Sequence, residues 1–315
     1  ASGAQADVME ITRPYRNVAS ISEMDIIKEA AEALIEKVDS IFVASGETEE
    51  LLEMKKAYEG LPEAGKKIVT EARYDKVKDA IALAEKIKNG EVELHVADKG
   101  KHAYNMDITA EANATLRKKD GIISFKGYAD VKGEGANETF NNTISGTNNF
   151  TIEANVNPNG DGSSYNMIAS KGDSSAAFRI SENKAYFFIK NTGGKWITAQ
   201  APLSGEELNS WLHVAAIYNG NDISVYVEGK ELVTTANAGT VASVNYPLGI
   251  GYCPETGRTS SNFIQNIRVY NKALTKDELD HGAYGPDSEN VVLWYDFDEY
   301  EYRNLDSTPT GIRSY

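Results

Sequence analysis

The segment 211–230 constrains the fold of this chain most, because its residue pattern suits short antiparallel strands. It predicts three strands joined by two tight turns, at residues 219–222 and 228–230. Asn, Asp and Gly fill these turns, and they tolerate the positive φ angles that tight hairpins need. Between the turns, apolar and polar residues alternate with a period of two, which predicts one buried side and one solvent-facing side that carries Tyr226.

The rest of residues 91–300 carries a similar pattern. Turn residues interrupt the chain about every eight to twelve positions, which predicts an antiparallel sandwich. Further strands are predicted within residues 150–158, 185–190, 264–274 and 291–298. Thr275 and Glu278 have the spacing of a capping box, so we expect a short helix after the third of these.

Residues 20–90 have the period of helices instead. Ser20 and Glu23 are spaced as a capping box, and apolar residues then recur at three and four positions until Gly46. A further helix is predicted between Thr48 and Gly60. A last helix is predicted to end at residues 89–90. The chain is therefore expected to hold a linker at 1–19, a helical module at 20–90, a sandwich at 91–300 and a tail at 301–315.

The charge balance limits the classes of partner. The formal net charge of −15 repels the phosphates of nucleic acids and anionic lipids, so we expect no nucleic acid and no membrane surface as partner. Cys253 is the single cysteine, so no disulfide forms within the chain. In a secreted protein this fits a bacterial source better than an animal one.

Four segments, taken in order, resemble the laminin-G-like, concanavalin A-like lectin sandwich: residues 121–130, 150–156, 211–230 and 264–274. The resemblance implies a mainly β fold, an antiparallel jelly-roll sandwich, with a separate N-terminal α-helical bundle. It also implies glycan binding without catalysis. Residues 55–69 are similar to small helical repeats of Gram-positive surface proteins, which act as spacers and attachment modules beside other domains of one polypeptide.

One departure from this family pattern bears on a metal. Many relatives hold a structural Ca²⁺ between a loop Asp and the acidic pair of the closing strand. Here the resemblance leaves Asp130 as one ligand, whereas Gln265 and Asn266 replace the acidic pair. Because Ca²⁺ needs several oxygen ligands including carboxylates, the site is expected to be weakened or absent. Asn155 also stands where the family usually has Trp.

A candidate ligand site follows from the faces of the predicted strands. Lys190 should face water, and the period of two places Tyr186 and Phe188 on its face. Aromatic rings stack on the C–H faces of sugars, and residues on neighbouring loops add hydrogen bonds. The other candidates for this site are Tyr165, Arg179, Trp196, Tyr252 and Arg258. Alternatively, Tyr186 and Phe188 are covered by another sheet, a loop or the helical module.

The strongest catalytic hint is the acidic run from Asp296 to Glu301. Lectin-fold glucanases use two strand carboxylates, which in retaining enzymes lie about 5–5.5 Å apart. Strict alternation places Asp296 and Glu301 on opposite faces, so we expect a solvated strand end or a cation contact. The four histidines lack metal-ligand spacing, and no nucleophile or phosphate-binding motif occurs.

The sequence therefore predicts a non-catalytic carbohydrate-binding region of a large secreted or cell-surface bacterial protein, an accessory module of a glycoside hydrolase. Two alternatives remain open. One is a surface adhesin or structural spacer that binds a host protein or nothing, and the other is a lectin-fold glycosidase. The sequence does not name the glycan.

Overall fold

A computed structural model describes residues 22–162 and 165–305 of the chain. The chain divides into two compact units. Of the described residues, the first unit contains those up to Ile41 and Glu49–Ala80, and the second contains Phe42–Thr48 and those from Ile81 to residue 305. None of the helices formed by the described residues is both long and apolar enough to cross a membrane.

Four helices lie in the N-terminal region and two lie within the strand-rich region. Their bounds are α1 Glu23–Asp39, α2 Glu49–Gly60, α3 Glu63–Val69, α4 Glu71–Lys88, α5 Ala136–Thr143 and α6 Lys276–His281. In the first unit, α1 packs against α2 and α3. Leu34 and Val38 of α1 and Leu51 and Met54 of α2 are buried in its core, as the apolar spacing predicts.

The start and end of α1 differ from the sequence prediction. Its capping box is formed by Ser22 and Asp25, whose side chains each accept the other's backbone N–H; Ser20 lies outside the described residues. The helix ends at Asp39 and does not reach Gly46. After Ser40, residues 41–43 are Ile, Phe and Val, which favour extended backbone. Val43 is buried in the second unit, where its carbonyl accepts the Tyr302 hydroxyl.

Strands form most of the second unit. Their bounds are β1 Val92–Val96, β2 Met106–Ile108, β3 Ala114–Lys119, β4 Ile122–Gly127, β5 Ala129–Asp130, β6 Phe150–Asn157, β7 Asn166–Ser170, β8 Ala176–Ser181, β9 Lys184–Lys190, β10 Trp196–Pro202, β11 Leu212–Tyr218, β12 Ile223–Val227, β13 Val233–Thr235, β14 Gly249–Ile250, β15 Phe263–Tyr270, β16 Val291–Asp296 and β17 Glu301–Asn304.

These strands form three sheets. One has six strands in the order β10-β9-β8-β7-β14-β5. A second has eight, in the order β13-β12-β11-β6-β15-β4-β3, with β16 paired to β15. A small third sheet has the order β17-β1-β2. All the strand pairs are antiparallel, which confirms the mainly β, antiparallel class expected from the sequence.

The two larger sheets share a core. Phe178, Phe187 and Ile189 of the six-stranded sheet are fully buried, as are Phe150 and Val214 of the eight-stranded sheet. The rings of Phe150 and Phe187 meet edge to face with centroids 6.1 Å apart, so the inner faces of the two sheets are in direct contact. The residues that alternate with these core side chains therefore lie on the outer faces of the sandwich.

The hairpin formed by β11 and β12 has the predicted turns, but its second face is not exposed to solvent. Every residue of β12 is buried, including Tyr226. The helix α6 is the cause, because the Tyr226 hydroxyl donates to Asp280 Oδ1 at 2.8 Å and Leu279 joins the same apolar cluster. Alternate side chains of β12 therefore enter two different cores, one between the two large sheets and one beneath α6.

The folded part of the second unit continues past residue 300. Residues 301–304, which the sequence placed in a C-terminal tail, form β17 and pair with β1. Tyr302 is buried on this strand, and its ring contacts Tyr300 edge to face. Burial of this aromatic side chain explains why the segment is part of the fold.

Candidate functional site

The outer face of the six-stranded sheet carries most of the residues predicted to bind a ligand. The strand register places Gln200, Tyr186, Arg179 and Met167 side by side across β10, β9, β8 and β7. Two residues farther along β9, Phe188 lies between Ala177 and Thr198, and then Lys190 pairs with Trp196. The predicted period of two is therefore confirmed for β9, since Phe187 and Ile189 face the core.

Arg179 lies at the centre of this face. Its guanidinium carbon is 4.7 Å from the ring centre of Tyr186, 5.2 Å from that of Phe188 and 4.9 Å from that of Tyr165. Such distances are typical of cation–π contacts, which are stronger when the cation is partly removed from water. The three rings therefore hold the guanidinium in place, although they come from one strand, β9, and a loop.

Asp173 connects the loops that border this face. Its Oδ2 atom pairs with Arg258 Nη1 at 2.6 Å, and its backbone carbonyl accepts the Trp196 indole N–H at 3.2 Å. Arg258 in turn lies over the Tyr165 ring, 4.0 Å from its centre. Asp173 was not among the residues predicted from the sequence, although its position in a Gly-Asp-Ser turn between two strands was a usable signal.

Exposure divides the aromatic side chains of this face into two groups. Trp196 is 57% exposed and Tyr165 is 39% exposed, so each presents a ring surface to solvent. Phe188 is only 4% exposed, because it packs against Met167 and Cys253. The prediction that Phe188 offers a ring to a ligand is therefore wrong, and Phe188 forms the base beneath Arg179. Tyr186 is partly buried at the edge of the same cluster.

We call the set Tyr165, Arg179, Tyr186, Lys190 and Trp196 the arginine–aromatic face. The strand register and the ring contacts bring these five residues onto one surface. Arg258 borders it through Tyr165.

Tyr252 and Asp130 form a separate pair. The Tyr252 hydroxyl donates to Asp130 Oδ1, and its ring lies 5.0 Å from that of Tyr128. Burial, followed by this hydrogen bond, raises the pKa of the Tyr252 phenol well above its usual range. Tyr252 makes no ring contact with the arginine–aromatic face among the described residues.

Asp130, the one carboxylate that the sequence leaves as a calcium ligand, is engaged by another side chain. Its carboxylate accepts a hydrogen bond from Tyr252, and no group of three or more His, Cys, Asp or Glu side chains in the described ranges is arranged to hold a metal. Ca²⁺ binding requires more oxygen ligands than one engaged carboxylate provides.

The acidic run at Asp296–Glu301 is divided between two sheets. Asp296 ends β16, where it accepts hydrogen bonds from Lys99 at 2.6 Å and from the Trp294 indole at 2.8 Å. Glu301 lies on β17 in the three-stranded sheet and is exposed beside Arg303. The two carboxylates therefore belong to different sheets, whereas the sequence placed them on opposite faces of one strand, and Asp296 is already engaged with protein donors.

The outer face of the eight-stranded sheet contains a buried polar network. Glu153 Oε1 lies 2.6 Å from His213 Nε2 and 3.4 Å from Arg268 Nη1, and its Oε2 accepts the Tyr270 hydroxyl at 2.6 Å. Burial alone raises the pKa of the Glu153 carboxyl, but the His213 hydrogen bond and the Arg268 charge hold it below its usual range. This arrangement gives His213 a structural role in the sheet.

Residues 132–280 match the family model Laminin_G_3, described as the concanavalin A-like lectin/glucanases superfamily. The chain therefore carries a concanavalin A-like, lectin-type domain, preceded by a helical region. The family resemblance and the fold class expected from the sequence are both confirmed. Among curated proteins, none matches the chain.

Several solved structures are similar to the chain. The binding domain of Paraclostridial Mosquitocidal Protein 1 is 17% identical, with 62% of this chain and 52% of that chain covered and a TM-score of 0.40. A proposed carbohydrate binding protein from Bacteroides ovatus is 17% identical, with 69% and 61% covered and a TM-score of 0.41. The ligand binding domain of Botulinum neurotoxin serotype D, solved with N-acetylneuraminic acid, is 14% identical, with 61% and 50% covered and a TM-score of 0.39. The chain thus spans between half and about three fifths of each.

Proposed function

We propose that the arginine–aromatic face binds a short oligosaccharide. The observation that carries this proposal is the exposure of Trp196 and Tyr165 on a surface where Arg179 and Lys190 also lie. Flat rings beside hydrogen-bond donors suit sugars, which combine apolar C–H faces with hydroxyl groups. A rigid sheet with recognition residues at its surface and on its loops is a usual arrangement for binding.

The dimensions of the face indicate the size of the ligand. The row that holds Tyr186 and Arg179 is four residues along β9 from the row that holds Lys190 and Trp196. Four residues of strand span about 14 Å, the length of a few linked sugar rings. An oligosaccharide therefore contacts both rows, whereas a monosaccharide contacts one of them.

The proposed role is that of a non-catalytic accessory module in a larger secreted or cell-surface bacterial protein that hydrolyses glycans. The lectin-type fold and the separation of Asp296 from Glu301 support a binding role. A module tethered to other domains of the same polypeptide raises the local concentration of its ligand, so weak single-site affinity is sufficient.

One observation favours a second candidate function. Phe188 and part of Tyr186 pack in a cluster with Met167 and Cys253, so a portion of the outer face is covered by the protein itself. A face closed in this way suits a structural spacer or an adhesin that binds a host protein through another surface.

A glycan array with three proteins tests the proposal. Wild-type protein is expected to bind a subset of oligosaccharides, and Trp196→Ala is expected to lose most of that signal. Leu52→Ala removes a 47% exposed apolar side chain from the first unit and serves as the matched control. Failure of the wild type to bind any glycan contradicts the proposal and favours the spacer.

A further inference from the structure

Arg179 differs from the other arginines in its ionic contacts. Six arginines fall within the described residues. Five of them lie within 3.5 Å of an acidic side chain: Arg73 with Asp39, Arg117 with Glu47, Arg258 with Asp173, Arg268 with Glu153 and Arg303 with Glu301. Arg179 contacts three aromatic rings and, within the described part of the chain, no carboxylate. An arginine without an acid is unexpected in a chain with 47 acidic and 32 basic residues.

The surroundings of Arg179 contain further unused hydrogen-bonding atoms. Its Nε atom is buried and donates to no acceptor among the described residues. The same holds for Ser175 Oγ, one residue before the same strand, and for Asp173 Oδ1 in the bordering loop. Buried polar atoms normally have partners, so each such atom in a folded protein needs an explanation. Three of them lie near one surface, and the one on Arg179 shows that its guanidinium has a donor without a protein acceptor among the described residues.

Lys190 adds a second unpaired cation to the face. Its Nζ atom lies 4.3 Å from the centre of the Trp196 ring, and no described acid forms an ion pair with it. The face therefore has two cations without acidic partners, about 14 Å apart along the strands, on a chain whose net charge is −15.

We infer that the arginine–aromatic face selects acidic sugars and that Arg179 binds the carboxylate of a uronic or sialic acid residue. The inference rests on the proposed function, because it names the class of glycan that the face takes. The planar guanidinium matches a carboxylate with two parallel hydrogen bonds. Tyr165, which is exposed and in contact with Arg179, is placed to stack on the ring that carries the carboxylate.

Other anchors do not fit this ligand as well. Arg258 is already neutralised by Asp173 at 2.6 Å, so a carboxylate there must displace an existing ion pair. When a neutral sugar binds, the partly buried guanidinium of Arg179 still has no counter-ion. A partly buried charge without a counter-ion is unfavourable. The acidic sugar removes that cost and also uses the stacking surface.

The test compares oligosaccharides that differ only in charge. Binding of oligogalacturonate and 3′-sialyllactose is measured by titration calorimetry beside their methyl esters, which keep the same rings without the negative charge. We expect wild-type protein to bind at least one acid about tenfold or more tightly than its ester, since charge-assisted hydrogen bonds are roughly twice as strong as neutral ones. Raising the salt concentration should narrow that ratio.

Arg179→Gln removes the charge, and Arg117→Gln changes an arginine of the other large sheet as a matched control. The ratio of acid to ester affinity should fall to near one in Arg179→Gln and stay at the wild-type value in Arg117→Gln. It should also persist in Trp196→Ala, because loss of this ring weakens the binding of acid and ester alike. Esters that bind wild type as well as the acids overturn the selectivity and leave the proposed function intact. Binding of no acid and no ester, on this panel and on the array, overturns both. The wild-type comparison decides the matter even if Arg179→Gln does not fold.

Discussion

The guanidinium carbon of Arg179 lies 4.7 Å from the centre of the Tyr186 ring, one strand away on the outer face of the six-stranded sheet. This contact fixes a cation that has no acidic partner among the described residues. A binding group held in place before the ligand arrives loses less conformational entropy on binding. The packing of Arg179 against Tyr186 therefore supports the proposed selectivity of this face for acidic sugars.

The loop side of the face supplies the first prediction. Tyr165→Ala removes an exposed ring that contacts both Arg179 and Arg258, and we expect glycan affinity to fall by about tenfold. Stability should hardly change, because the ring is 39% exposed. Calorimetric titration and thermal unfolding measure the two effects. Tyr58→Ala in the first unit is the control, and equal affinity of both variants would exclude a role for Tyr165.

The buried carboxylate of the other large sheet supplies the second prediction. Glu153→Gln weakens the contacts with His213, Arg268 and Tyr270, and it should lower the free energy of unfolding by about 3 kcal/mol at pH 7. The pKa of Glu153 is lowered in the folded state. Its stabilisation is therefore present above the unfolded-state pKa, about 4.3, and is lost as the pH falls through the folded-state pKa.

Urea unfolding at pH 7 and near pH 3 measures this effect. The difference between wild type and Glu153→Gln should shrink at the lower pH. Glu228→Gln, a change at an exposed position beside the same sheet, should match wild type at both. A difference that is independent of pH would show that the Glu153 charge is not the stabilising feature.

Lys171 gives a prediction for the alkaline pH range. Its side chain is buried, and Nζ donates to Asn137 Oδ1 at 2.8 Å and to the Tyr246 carbonyl without an acidic partner among the described residues. Burial lowers the pKa of Lys171 to about 8. The unfolded state then binds more protons above pH 8, so the free energy of unfolding should rise by about 1–2 kcal/mol between pH 7.5 and 9.5.

Lys171→Met removes that titration, so its unfolding free energy should rise less over the same range. Urea unfolding curves at several pH values measure both slopes. Lys118→Met is the control, because Lys118 lies on β3 and is exposed. Identical slopes for wild type and Lys171→Met would contradict the assignment of the pH dependence to this lysine.

The cover over β12 leads to a fourth prediction. Leu279 of α6 is buried in the cluster that contains Tyr226 and Trp294. Leu279→Ala should therefore lower the free energy of unfolding by about 2–4 kcal/mol, whereas Asp277→Ala, on the exposed side of the same helix, should have little effect. If both variants unfold like wild type, α6 does not seal this side of the sheet.

Local sequence signals were sufficient for much of the fold. The helix α6 has the predicted capping box of Thr275 and Glu278, because cap residues act over three positions. The strands β6, β9 and β12 lie where the period of two placed them. These features depend on neighbours in the chain, so the sequence contains the information directly.

The remaining features depend on contacts between distant parts of the chain. The burial of Phe188 requires Met167 and Cys253, and the engagement of Arg258 by Asp173 joins residues 85 positions apart. The lack of an acid beside Arg179 likewise becomes visible only when the rest of the surface is assembled. Periodicity therefore identifies the face of a strand but not whether that face is covered or which cation remains unpaired.

NMR mapping of a bound glycan tests whether the arginine–aromatic face is its binding surface. A ligand identified on the array is titrated into isotope-labelled protein, and the backbone amide and indole resonances are followed by NMR. If the arginine–aromatic face binds the glycan, the largest shifts fall on β8, β9, β10 and residue 165, including the Trp196 indole N–H, which donates to the Asp173 carbonyl. Shifts concentrated on the outer face of the eight-stranded sheet, around His213 and Arg268, would contradict binding at the arginine–aromatic face.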